Sequence, residues 1–113
     1  MGEGGGLPLD CVVADFVAGA AEKMVIQNQH HEVLVVEGQG SLVHPSYSGV
    51  TLSLLHGCAP HGLIFVYEIG RTAVTGVDHV TIPPLAHLLK MYDMLANANF
   101  RCQILGIAVN SRR

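Results

Sequence analysis

The sequence predicts an α/β domain: a three-layer, Rossmann-like or P-loop-like fold with a mostly parallel sheet of three or four strands. Three observations lead there. Short unbroken apolar runs rich in β-branched residues stand at Val33–Val36, Leu63–Tyr67 and Ile104–Val109, the pattern of strands buried on both faces. Stretches with helical spacing separate them. The intervals between runs are long enough for the crossovers that parallel strands require.

Residues 1–9 are Gly-rich and aperiodic, which predicts a flexible lead-in ahead of a single α/β domain over residues 10–113. Cys11–Ala14 has the makings of a short strand. Asp15 then occupies an N-cap position before a helix over Phe16–Val25, where Val17, Ala20, Ala21, Met24 and Val25 recur at helical spacing. His30 and His31 lie in a polar break, expected to be a solvated turn.

The first strong strand, Val33–Val36, runs straight into Glu37-Gly38-Gln39-Gly40. From Tyr47 to His56 the pattern suits either a strand or a helix ended by Gly57, and the need for a crossover before Leu63 decides for helix. Leu63–Tyr67 is the second strong strand. Pro83 and Pro84 then fit a first helical turn, followed by an apolar stripe of Leu85, Leu88, Leu89, Tyr92, Leu95 and Ala96, with Asn97 or Asn99 as the stop. Ile104–Val109 closes the pattern as the last strand.

Composition narrows the function. Of 113 residues 50% are apolar and 13% charged, against roughly 25% charged in average soluble chains. Such a chain can offset its ordering entropy by burial, so it folds. A net charge of -3 with six Lys plus Arg excludes a nucleic-acid binder that works by neutralising phosphates. No apolar run approaches the roughly 18–20 residues of a membrane span. Met1–Gly6 has neither region of an export signal, and three widely spaced cysteines suit reduced thiols, so a cytoplasmic protein is expected. A domain of this size buries only about 65% of its unfolded surface. That much apolar content therefore predicts a homo-oligomer.

In an open parallel sheet, ligands bind beyond the carboxyl ends of the strands. The residues that follow the expected strands are Asp15, Glu37, Glu68 and Asn110, which predicts a polar rim. Glycines 38 and 40 let backbone N–H groups approach an anion, and Ser41, Ser46, Tyr47 and Ser48 add hydroxyls. Glu37 can hold a metal or accept a proton, and His44 can exchange one near neutral pH. Arg71 suits a carboxylate or phosphate clamp, or simply an ion pair with Glu68. A plain Gly-rich turn before a helix accounts for the Glu37–Gly49 stretch equally well. The dinucleotide fingerprint fails because Val43 stands where a third glycine belongs. No Gly-Lys-Ser/Thr exists for a Walker A loop, and no G-x-S-x-G surrounds Ser41, Ser46 or Ser48. Cys58 and His61 have metal-like spacing without a second ligand pair, so no metal site is expected.

The segments Asp15–Glu22, Glu37-Gly38-Gln39-Gly40-Ser41-Leu42, His44-Pro45, Tyr47–Leu52, Leu54–Gly57, Gly70-Arg71 and Gly106–Asn110 resemble the C-terminal half of proteins classed as domain of unknown function 1611. The resemblance runs from about residue 10 to residue 110. It implies a P-loop domain similar to dethiobiotin synthetase, in which Glu37, Gly38 and Gly40 take the place of an acidic loop facing metal and substrate. It also implies kinship with D-amino acid (D-glutamate) N-acetyltransferases that use acetyl-CoA, an activity this short chain need not show alone. The family's P-loop strand and Walker A lysine would precede this chain, which is thus expected to be truncated and not to hold a nucleotide or Mg by itself.

For acetyl transfer, Glu37 or His44 is the expected base, Arg71 the carboxylate clamp, and N–H groups near Gly40 and Ser41 the oxyanion donors. Asp15, Gly38, Tyr47, Ser48 and Glu68 complete the expected small-molecule site. Two other readings stay open: a non-catalytic module that binds small anions or proteins, and a P-loop-type domain completed by a partner chain.

Overall fold

Apolar spacing builds the helices, and the two strongest apolar runs pair. In a computed structural model that describes residues 14–74 and 76–111, the elements are α1 (Ala14–Gln27), α2 (Ser48–Cys58), β1 (Gly62–Glu68), β2 (Ala73–Val74), β3 (Val77–Thr81), α3 (Leu85–Ala96) and β4 (Gln103–Asn110). The proposed lead-in, residues 1–9, lies outside the described residues, as do residues 11–13 of the first expected strand. Ala14 belongs to α1, so Asp15 sits within the first turn and not at an N-cap.

β1 and β4 run parallel, with Leu63 opposite Ile104, Phe65 opposite Ile107 and Glu68 opposite Asn110, across a bulge between Leu63 and Ile64. The crossover between them carries β2, β3 and α3. The α/β class and the parallel direction are as the sequence predicts.

Two details differ. Among the described residues the parallel sheet has two strands, and a separate antiparallel hairpin joins β2 to β3. Val33–Val36 forms no strand: it finds no ladder partner among the described residues, and Val33 and Val35 are 76% and 92% exposed. Apolar content alone cannot make a strand without a neighbour to bond.

α1 packs on α2. Val17 and Ala21 are fully buried, one turn apart on the face toward that contact, and Gly57 lies so close to the Ala18 carbonyl that a Cβ there would collide with it. α2 ends on Ala59, which takes the left-handed conformation (φ 45°) while its N–H bonds the Leu55 carbonyl at 3.1 Å. The His56 ring nitrogen Nε2 meets the Leu95 carbonyl at 2.9 Å, tying α2 to α3. α3 starts after Pro84, whose carbonyl accepts the N–H groups of His87 and Leu88. It stops at Asn97, whose side chain bonds the Asp93 carbonyl and both backbone groups of Cys102 at the entry to β4. No helix among the described residues is long and apolar enough to cross a membrane.

Candidate functional site

Parallel pairing brings the C-terminal ends of β1 and β4 side by side, and an open cleft of about 430 Å³ lies against them. Gly40, Ser41, Val43 and His44 line it from the turn before α2, Glu68 and Asn110 from the strand ends, and Arg71 from the following loop. Its apolar lining includes Phe65, Val74, Ile82 and Leu88. The expected rim is therefore assembled in part. Glu68 and Asn110 are ladder partners, and the glycine turn faces them.

Backbone geometry makes the turn. Gly40 has φ +65°, and a Cβ there would stand 3.0 Å from the Tyr47 Cβ and 3.1 Å from Thr51 Oγ1, so both backbone conformation and close packing favour glycine. Ser41 Oγ accepts the Val43 N–H at 3.2 Å, the Ser41 carbonyl accepts the His44 N–H, and the Tyr92 hydroxyl accepts the Leu42 N–H at 3.1 Å. The loop thus spends three of its N–H groups on itself and on α3. Among the described residues none accepts the Gly40 or Ser41 N–H.

His44 is oriented. The Ser46 N–H donates to its Nδ1 at 3.1 Å, and its ring leans on Tyr47 at a centroid distance of 4.6 Å. With Nδ1 accepting, the neutral ring carries its proton on Nε2. In this arrangement His44 offers a donor to the cleft.

Arg71 pairs with Glu68 at 2.6 Å, three residues apart in sequence. Arg71 is about half exposed and Glu68 about a quarter. A guanidinium has five N–H donors in a fixed fork, so one carboxylate oxygen does not exhaust it. The ion pair holds the fork at the rim.

The remaining expected residues lie elsewhere. Glu37 and Gly38 sit on an exposed segment and do not line the cleft. Tyr47 is the exposed N-cap residue of α2 and Ser48 its first helical residue, both behind the turn. Asp15 belongs to α1. Sequence reasoning missed the apolar wall from Val74 and Ile82 on and after the β2–β3 hairpin. The signal was Thr75-Gly76 between two valines, a weak relative of the two-residue hairpin turns.

The thiols stand apart from the cleft. Cys58 and Cys102 are free, and burial pushes both above the ordinary value of 9.0. At Cys102 the Asp93 carboxylate adds to that rise.

Comparison with known proteins gives a consistent picture. The family model described as the domain of unknown function (DUF1611_C) P-loop domain matches residues 1–113. A protein of Tritonibacter scottomollicae named D-glutamate N-acetyltransferase is 44% identical over 110 residues, covering 96% of this chain and 33% of that protein. A Pseudoalteromonas protein of the same name is 38% identical over 109 residues, with the same coverage. The crystal structure of a DUF1611 family protein from Anabaena variabilis superimposes with a TM-score of 0.89 at 41% identity, covering 96% of this chain and 32% of that one. The chain thus spans about a third of the length of the relatives it matches.

Proposed function

This chain belongs to the DUF1611 C-terminal P-loop domain family, and from that premise we propose that it forms the acceptor-binding part of an N-acetyltransferase. The reaction moves an acetyl group from acetyl-CoA to the amine of a small acidic D-amino acid such as D-glutamate. The name carried by both curated relatives supports the chemistry. The observation that carries the assignment to this cleft is the Glu68–Arg71 ion pair at the mouth of a pocket shared with His44 and Asn110.

The roles follow from donors and acceptors. Arg71 clamps the substrate carboxylate with the part of its fork that Glu68 leaves open. The second carboxylate oxygen of Glu68 receives the substrate ammonium and draws off its proton. The amine nitrogen then attacks the thioester carbonyl carbon and the C–N bond forms; as the C–S bond breaks, the displaced sulfur takes up a second proton from that nitrogen, leaving the amide, and the proton held by Glu68 passes to solvent. His44 Nε2–H and the Gly40 and Ser41 N–H groups face the oxygen on which charge develops. His44 serves here as donor in place of base, because Ser46 occupies its Nδ1. Glu37 lies outside the cleft lining, so Glu68 takes the proton-accepting role.

With Arg71 as the cation that lines it among the described residues, the cleft suits a carboxylate. The chain works in the cytoplasm, where Cys58 and Cys102 remain reduced, and as a homo-oligomer that covers apolar strand residues. A thiol-release assay with acetyl-CoA and D-glutamate tests the reaction. Charge-assisted hydrogen bonds are worth about 1.5–3 kcal/mol, so Arg71→Gln should raise KM for D-glutamate roughly 10- to 150-fold. Stability should hardly change, since exposed pairs contribute about 0–1 kcal/mol. No thiol release by the wild-type protein, or an Arg71→Gln variant with unchanged KM, contradicts the proposal.

A further inference from the structure

We infer that Tyr92, in the apolar stripe of α3, is a positioning residue for the cleft. Packing explains its ring but not its hydroxyl. The hydroxyl accepts the N–H of Leu42 at 3.1 Å, from a residue 50 positions away in sequence. The ring meets Phe65 edge-on, with centroids 5.1 Å apart and planes at 76°. Leu42 sits beside Ser41 and two residues before His44, and all of Ser41, His44 and Phe65 line the cleft. One side chain therefore fixes both the donor turn and part of the apolar lining opposite it.

A second anchor holds the other end of the turn. Thr51 Oγ1, on α2, donates to the Gln39 carbonyl at 2.5 Å. Residues 39–44 belong to no helix or strand, so these two side chains suspend the turn between α2 and α3. Removing the Tyr92 hydroxyl frees the Leu42 N–H and lets Ser41 and His44 drift from the Glu68–Arg71 pair. The reaction this placement serves rests on the acetyl-transfer reading above, whereas the tether itself is a matter of geometry.

The test is Tyr92→Phe, which keeps the ring on Phe65. Amide exchange at Leu42 should accelerate at least about tenfold, while amides of β1 and β4 keep their protection. A misplacement of this kind should lower kcat by about 10- to 100-fold. KM for D-glutamate should stay within about twofold, because Arg71 and Glu68 are untouched. Unchanged exchange at Leu42, unchanged kcat, or exchange that accelerates equally across β1 and β4 overturns the inference, the last by making Tyr92 a packing residue only. Should the wild-type protein release no thiol, the proposed function fails, and the Leu42 exchange rate alone still decides for or against the tether.

Discussion

Gly40 concentrates the local physics of the site. Its positive φ strains any L-residue, and an added Cβ would press on Tyr47 and Thr51. Left-handed backbone costs an L-residue roughly 1–2 kcal/mol, so Gly40→Ala should lower stability by about that much in urea denaturation and slow thiol release as the turn shifts. The two cysteines give a second residue-scale prediction. Burial holds the proton on Cys58 and Cys102 in the folded chain beyond the ordinary 9.0. The unfolded chain therefore loses thiol protons first as pH climbs past that value. Their contribution is intact below the ordinary thiol value and fades as pH rises toward the higher folded-state values. The urea midpoint should thus drop on the alkaline side, and a Cys58→Ser, Cys102→Ala double variant should show a shallower drop. At this scale the sequence pointed to Glu68 and Arg71 from the end of the Leu63–Tyr67 run and to Ser41 and His44 from the glycine turn, and all four line one cleft. It could not reveal that Ser46 would occupy His44 Nδ1, since that bond depends on the fold of the turn.

Helix ends and crossings set the stability of the elements. Ala59 takes a left-handed C-terminal position where glycine would be unstrained. Ala59→Gly should therefore raise stability, by up to about 1 kcal/mol. Gly57→Ala should do the reverse and more, because the new methyl collides with the Ala18 carbonyl and pushes α1 off α2; thermal melts of the two variants should move in opposite directions. The helices were legible from their apolar spacing, and α2 was settled by the crossover requirement. The β2–β3 hairpin was not, because β2 has two residues and its Thr75-Gly76 link lacks the usual turn signature. Val33–Val36 misled for the opposite reason. Its composition suits a strand, but strand formation needs a partner that composition does not report.

Across the whole molecule, apolar strand residues stay uncovered. Ile64 and Val66 on β1 are 67% and 72% exposed, and Leu105, Ile107 and Val109 on β4 are exposed as well. The register puts Ile64 and Val66 on one face of the sheet and Ile107 and Val109 on the other, and apolar side chains exposed on both faces predict that a further protein layer covers them. Light scattering should return a mass above that of one chain, and a monomer at micromolar concentration would contradict the oligomer. The parallel direction of β1 and β4 has the larger consequence, since it alone brings Glu68 and Asn110 together beside the glycine turn. The most direct measurement is a titration of the isotope-labelled protein with D-glutamate, followed by amide chemical shifts. Binding of the substrate at this cleft predicts saturable shifts at Gly40, Ser41, Glu68, Arg71 and Asn110 that vanish in Arg71→Gln. Shifts confined to other parts of the chain, or none at saturating ligand, would contradict it.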